Sequence, residues 1–170
     1  MFFLQYLRKK YILGLGLLSA TALVAAVALP TWSAGTTYAK VSVAAQPSTL
    51  KPGRSGAIII TINVAKDFHI NSAKPADPNL IPTKLEMKQV AGFRFGTVAY
   101  PRPRSVRESY SPQPLSVYEG NAVIRVPVTA SPSLKPGRYI LNGVLTYQGC
   151  NHAACYPPQN PTIRVPITVK

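Results

Sequence analysis

Residues 163–169 read Ile-Arg-Val-Pro-Ile-Thr-Val, and this stretch near the end of the chain decides the fold. Apolar side chains alternate with polar side chains or proline through all seven positions. A period of two puts the apolar set on one face of an extended strand, whereas a helix would need apolar residues three and four apart. The stretch therefore predicts a half-buried β-strand whose apolar face lies in a core.

The same signal recurs along the chain. Five more segments show alternation or a block of β-branched residues: 40–45, 57–64, 84–88, 122–128 and 139–147. No stretch after Leu29 combines a helical period with capping residues. Six or more short strands separated by turns predict an all-β fold, an antiparallel β-sandwich.

Proline and glycine suggest where strands turn and where they lie in a sheet. Leu-Lys-Pro-Gly-Arg occurs twice, at residues 50–54 and 134–138. Pro-Gly suits the two central positions of a type II turn, so we expect such turns at two equivalent corners. Pro127 and Pro166 lie inside strand-like runs, which favours edge strands or bulges, because proline has no N–H for a ladder.

The N-terminus has the pattern of an export signal. Three basic residues at 8–10 precede an apolar run at 11–29, and small residues follow at 33–35. The run suits either a cleaved signal peptide or an uncleaved anchor helix. We therefore divide the chain into residues 1–34, a signal peptide or N-terminal membrane anchor, and residues 35–170, a single extracytoplasmic domain that is periplasmic or secreted.

The charge is strongly positive. The chain has a net charge of +14, and without the N-terminal cluster 16 basic against five acidic residues leave +11. Such a surface suits anionic lipid headgroups, acidic glycans or acidic proteins, although basic residues that merely solvate a sheet would look the same. Export makes nucleic acid an unsuitable partner, so we expect no nucleic-acid binding.

Two cysteines, Cys150 and Cys155, are the only ones in the chain. Outside the cytoplasm a disulfide persists, and an even count permits one intramolecular bond. The pair is either a staple or a redox switch. Closing a loop of about six residues stabilises a fold by only about 2 kcal/mol, against about 4.7 kcal/mol for 100 residues. This favours reactivity over stapling.

A metal site is a further alternative. Cys150, His152 and Cys155 place three ligand-type side chains within six residues. No fourth ligand is evident, since His69 is the only other histidine, so we expect no metal and no cofactor. Five carboxylates and two histidines also leave no paired-carboxylate or Ser/His/Asp pattern.

The cysteine segment resembles a known family. Residues 146–150, Thr-Tyr-Gln-Gly-Cys, and 155–158, Cys-Tyr-Pro-Pro, closely resemble the active-site segment of the N-terminal domain of the thiol:disulfide interchange protein DsbD. Asp-Phe-His-Ile-Asn-Ser at 67–72 with Ile-Pro-Thr at 81–83, and Leu-Ser-Val-Tyr-Glu-Gly at 115–120, resemble other blocks of that family. The resemblance covers most of residues 35–170, and the cysteine segment is its most specific part.

The resemblance implies a fold and a chemistry. In that family the domain is an immunoglobulin-like sandwich outside the cytoplasm whose two cysteines exchange electrons with thioredoxin-fold proteins. It implies that Cys150 and Cys155 are the redox pair and that Cys155 forms the mixed disulfide with partners. The family's cysteines lie under a cap loop, and by position the Pro-rich segment 100–115 is the candidate cap here.

Other side chains are candidates for shaping the site, although strand packing or solvent exposure would explain them equally: Phe68, His69, Tyr100, Tyr147, His152 and Tyr156. The chain departs from the family in its cysteine spacing and lacks a clear cap phenylalanine motif. It also carries no multi-span or thioredoxin-like domain, so we expect a separate electron donor, such as a multi-span membrane protein. The alternative function is a non-enzymatic immunoglobulin-like binding or assembly module with a structural loop disulfide.

Overall fold

The computed structural model describes residues 41–46 and 48–170, and twelve β-strands lie in those ranges. In chain order they are β1 Val41–Ala45, β2 Ser48–Leu50, β3 Ser55–Val64, β4 Phe68–Asn71, β5 Lys84–Met87, β6 Phe93–Phe95, β7 Arg104–Val106, β8 Leu115–Tyr118, β9 Asn121–Ala130, β10 Gly137–Thr146, β11 Gly149–Asn151 and β12 Thr162–Val169. This part of the chain contains no helix that could cross a membrane. The expected export or anchor helix and the boundary after residue 34 lie outside the described residues.

The strands form three four-stranded sheets. Their orders are β1-β3-β9-β6, β2-β12-β10-β5 and β11-β4-β8-β7. Among the described strands every pairing is antiparallel except that of β2 with β12. The predicted all-β, immunoglobulin-like sandwich is confirmed, and all six strands expected from alternation are present.

The core lies where the alternation predicts it. Ile58, Ile60 and Ile62 of β3 are fully buried, as are Leu141 of β10 and Val165 of β12. Burying such a side chain is worth about 1.5–3 kcal/mol. The sandwich therefore has an extensive apolar core that does not depend on the cysteine loop.

The third sheet holds the cysteine segment. β10 ends at Thr146, and the next residue, Tyr147, pairs with Gln159. The chain then enters β11, where Cys150 pairs with His69 of β4. Cys150 thus lies in a separate strand from residues 139–147, because the backbone passes to the neighbouring sheet after Tyr147.

The two Leu-Lys-Pro-Gly-Arg copies adopt different conformations. In the first, Gly53 has φ 72° and the Arg54 N–H donates to the Lys51 carbonyl at 3.0 Å, as a type II turn requires. In the second, Gly137 is the first residue of β10 and pairs with β12. The expectation of a second equivalent turn is therefore wrong, since strand pairing extends over that glycine.

The two strand prolines do not mark edge strands. Pro127 lies in β9 and Pro166 in β12, and each of these strands has a neighbour on both sides. The Pro127 carbonyl accepts the Gly96 N–H at 2.8 Å, one residue beyond the last pair of β6. Pairing of β12 with β2 begins one residue after Pro166. Each proline thus lies just outside the stretch that pairs with one of its two neighbouring strands, which explains how an inner strand tolerates it.

Candidate functional site

Cys150 and Cys155 are joined by a disulfide across a tight loop. Their Cα atoms are 3.9 Å apart and form an isolated antiparallel bridge. Beside them the Asn151 N–H donates to the Ala154 carbonyl at 2.9 Å and the Tyr156 N–H donates to the Gly149 carbonyl at 2.8 Å. The loop is therefore a small hairpin whose backbone hydrogen bonds bring the two sulfurs together.

Asn151 organises the interior of this loop. Its Oδ1 accepts hydrogen bonds from the N–H groups of Ala153 and Ala154, both at 2.9 Å, and its Nδ2 donates to the Tyr156 hydroxyl at 2.8 Å. An asparagine that binds its own following backbone stabilises a turn without any covalent link. The loop thus has a fixed conformation that does not rest on the sulfur–sulfur bond alone.

The two sulfur-bearing residues differ in access. Cys150 is fully buried in β11, whereas Cys155 is half-buried in the loop. Which sulfur is attacked in thiol–disulfide exchange depends on access. Cys155 is therefore the more accessible of the two cysteines, and the fold shields Cys150.

A cap segment, residues 107–114 between β7 and β8, contacts the cysteine loop. The Tyr110 hydroxyl lies 3.8 Å from the Cys155 Sγ, and the Ser109 hydroxyl donates to the His152 carbonyl at 3.4 Å. Both Glu108 carboxylate oxygens lie within 3.2 Å of the His152 Nδ1. The cap lies inside the Pro-rich segment that the sequence singled out.

Glu108 and two histidines set the electrostatics of the site. The Glu108 side chain is only 6% exposed, and its Oε1 lies 3.7 Å from the His69 Nδ1. Burial lowers the pKa of His69, although Glu108 opposes the shift. Burial, reinforced by the Glu108 charge, raises the pKa of Tyr110 to about 12. Near neutral pH both His69 and Tyr110 are therefore uncharged.

The aromatic candidates lie in two different places. Phe68 of β4 stacks on Tyr156 with ring centroids 6.2 Å apart, so these two residues do meet beside the cysteines. Tyr147 is buried in the sandwich core, and burial raises the pKa of its hydroxyl. Tyr100 packs against the core and accepts a hydrogen bond from the Leu85 N–H at 2.9 Å. Its hydroxyl therefore belongs to the sandwich and not to the cysteine loop.

A pair of amide side chains, the buried Asn71 and the half-buried Gln148, lies beside the cysteine loop and was not foreseen. Gln148 Oε1 accepts from Asn71 Nδ2 at 3.0 Å and from the Ile81 N–H at 3.2 Å, while its Nε2 donates to the Tyr156 carbonyl at 3.3 Å. Gln148, the residue directly before β11, thus hydrogen-bonds to three other parts of the chain: β4, Ile81 and Tyr156. The sequence contains only a weak indication of this role, namely that Gln148 directly precedes Gly149 and Cys150.

The metal alternative finds no support in the geometry. Both thiols that it requires are joined to each other. Within residues 41–46 and 48–170, no cluster of three or more histidine, cysteine, aspartate or glutamate side chains has the arrangement of a metal site. His152 instead lies against Glu108 with its side chain 74% exposed.

Comparison with known proteins places the chain in a family. The family model described as "Thiol:disulfide interchange protein DsbD, N-terminal" matches residues 36–167. The N-terminal periplasmic domain of ScsB from Proteus mirabilis is 16% identical, with a TM-score of 0.50 over 73% of this chain and 44% of that one. The reduced DsbD N-terminal domain from Neisseria meningitidis is 19% identical, with a TM-score of 0.48 over 75% of this chain and 85% of that one. Comparison with curated proteins finds no significant match. The chain belongs to the family of the N-terminal domain of the thiol:disulfide interchange protein DsbD.

Proposed function

We propose that this domain carries out thiol–disulfide exchange through Cys150 and Cys155 and relays reducing equivalents to or from thioredoxin-like proteins. The observation that carries the proposal is the asymmetry of the disulfide, in which one cysteine is fully buried and the other is partly exposed beside a cap. A purely structural disulfide would not need its two cysteines to differ in burial. Family membership supports the same chemistry.

We propose a separate role for each cysteine, which the difference in their burial supports. When the reduced domain meets a partner disulfide, the Cys155 thiolate attacks one partner sulfur, and the second partner sulfur leaves with the bonding electron pair. Cys150 then attacks Cys155, re-forms the internal disulfide and releases the first partner sulfur as a thiolate. Two electrons pass to the partner, and the reverse sequence reduces the domain.

The same chemistry supports a location outside the cytoplasm. We propose that residues 1–34 export the chain or anchor it to the membrane and that residues 35–170 lie outside the cytoplasm. The similar domain from Proteus mirabilis is periplasmic, and a disulfide persists in that compartment. We propose that a multi-span membrane component supplies electrons to this domain.

The test is a chemical trap that distinguishes the two cysteines. Cys150→Ala leaves Cys155 as the only thiol, and Cys155→Ala is the matched control that leaves only the buried Cys150. Each variant is mixed with a thioredoxin-fold protein whose single remaining active-site thiol carries a thionitrobenzoate group. We expect Cys150→Ala to release thionitrobenzoate and form a mixed disulfide at least tenfold faster than Cys155→Ala.

Equal rates for the two variants, or no mixed disulfide with either, would overturn the proposal. A Cys150→Ala/Cys155→Ala variant that kept a partner bound would then favour the binding-module function. In that case the positive charge would dominate recognition, and binding would weaken steeply with salt.

A further inference from the structure

A line of three contacts leads from the accessible cysteine to a buried carboxylate. The Cys155 Sγ lies 3.8 Å from the Tyr110 Oη, which lies 3.1 Å from the His69 Nε2. The His69 Nδ1 in turn lies 3.7 Å from the Glu108 Oε1. A disulfide sulfur carries no hydrogen, so at the first contact only the tyrosine can donate. Tyr110 and His69 both donate and accept, which is what a proton path requires.

His69 is neutral in the resting domain, and a thiolate at Cys155 would favour its protonation. Burial lowers the pKa of its imidazole, and His152 on the cysteine loop lowers it further. Glu108 on the cap and Glu119 after β8 act in the opposite direction. A thiolate at Cys155 would add a third nearby negative charge and favour the imidazolium. His69 is therefore neutral at rest and gains proton affinity as Cys155 ionises.

The raised pKa of Tyr110 suits its position between Cys155 and His69. Because burial and Glu108 raise its pKa to about 12, the phenol resists becoming a stable tyrosinate. It therefore passes a proton on and does not keep the charge. Tyr110 belongs to the cap, whereas His69 belongs to β4, so the path is complete only while the cap lies against the cysteine loop.

We infer that Tyr110 is a further catalytic residue, which transfers the proton of the reduced Cys155 thiol to His69, with Glu108 positioning the imidazole. The inference rests on the proposed exchange function. In the step, the Cys155 S–H bond breaks and its proton passes to the Tyr110 oxygen. The Tyr110 proton passes to the His69 Nε2, which leaves a thiolate, a neutral tyrosine and an imidazolium. No electrons leave the domain in this step, and the reverse step protonates Cys155 when it is released as a thiolate.

The possible gain in rate has a ceiling. A cysteine with an ordinary pKa of about 8.5 is only about 3% thiolate at pH 7, so complete ionisation would raise its reactivity roughly 30-fold. A relay that ionises about a third of the thiol should raise its reactivity about tenfold. At high pH the thiol ionises without assistance and the advantage disappears.

The test measures Cys155 reactivity as a function of pH without any protein partner. The full chain carrying Cys150→Ala is alkylated with iodoacetamide, with and without Tyr110→Phe. Tyr139→Phe is the matched control. Tyr139 lies in β10, and its hydroxyl donates to the Lys135 carbonyl at 2.7 Å and not to a residue of the cysteine loop. We expect Tyr110→Phe to lower the rate about tenfold at pH 7 and less than twofold at pH 10, and Tyr139→Phe to change neither rate.

His69→Gln should reproduce the pH-dependent loss, since glutamine does not take up the proton. An equal loss at both pH values, or no loss, would overturn the relay, because a purely structural contact would not depend on thiol ionisation. The small reagent keeps this test separate from the exchange function. A failed relay leaves partner trapping intact, and failed trapping leaves the pH profile measurable.

Discussion

Reduction of the Cys150–Cys155 bond should cost little stability and leave the domain folded. The bond closes a ring of six residues, for which the chain-entropy relation gives about 2 kcal/mol at 25 °C. The Asn151 hydrogen bonds to Ala153 and Ala154 do not involve sulfur, so they can remain after reduction. By thermodynamic linkage, the reduction potential of the folded domain should lie only about 50 mV below that of the unfolded chain.

Urea unfolding of the oxidised and dithiothreitol-reduced chain measures this cost. We expect the oxidised and the reduced chain each to unfold in a single cooperative transition. The dependence of the unfolding free energy on urea should be equal for the two forms, and the free energies should differ by about 2 kcal/mol. Loss of folding on reduction, or a cost above about 4 kcal/mol, would refute the reasoning. The disulfide would then be a structural staple, and the case for its turnover would weaken.

Three further outcomes follow from the structure. Gln148→Ala should destabilise the domain by about 1–3 kcal/mol in urea unfolding, because one N–H of the buried Asn71 amide loses its partner; a change below 0.5 kcal/mol would contradict this. Gly53→Ala should cost about 1 kcal/mol at its φ of 72°, whereas Gly137→Ala in the identical pentapeptide should cost almost nothing, and equal costs would contradict the assigned conformations. Stability should fall as the pH drops below about 6.5, because the unfolded chain takes up a proton that buried His69 resists. His69→Gln should reduce that slope, by at most about 1.4 kcal/mol per pH unit, in denaturation at pH 8 and pH 5; an unchanged slope would exclude His69 as its source.

The long strands were predictable because each of them buries one face. Ile58, Ile60 and Ile62 of β3 show this directly, since the period of two in the sequence is the period of burial in the structure. The short strands, such as β7 and β11, were not predictable. Three residues contain too little alternation to register, and their pairing depends on partners far away in the chain.

The site was predictable only in its sequence-local part. Cys150 and Cys155 are neighbours in the chain, and the cap was recognisable as an unusually long Pro-rich segment. Glu108 and Tyr110 were not singled out within it, because their roles come from contacts with His69 and Cys155 about 40 residues away. The change of sheet after Tyr147 brings the cysteine loop to β4 and to the cap, and no local pattern encodes it.

The reduction potential of the Cys150–Cys155 pair tests the central claim most directly. It is measured by equilibrating the full chain with dithiothreitol buffers of known potential and quantifying the free thiols. An exchange site should have a potential above about −300 mV, within reach of thioredoxin-like proteins. A potential far below −300 mV would mark the bond as a structural disulfide and contradict the account.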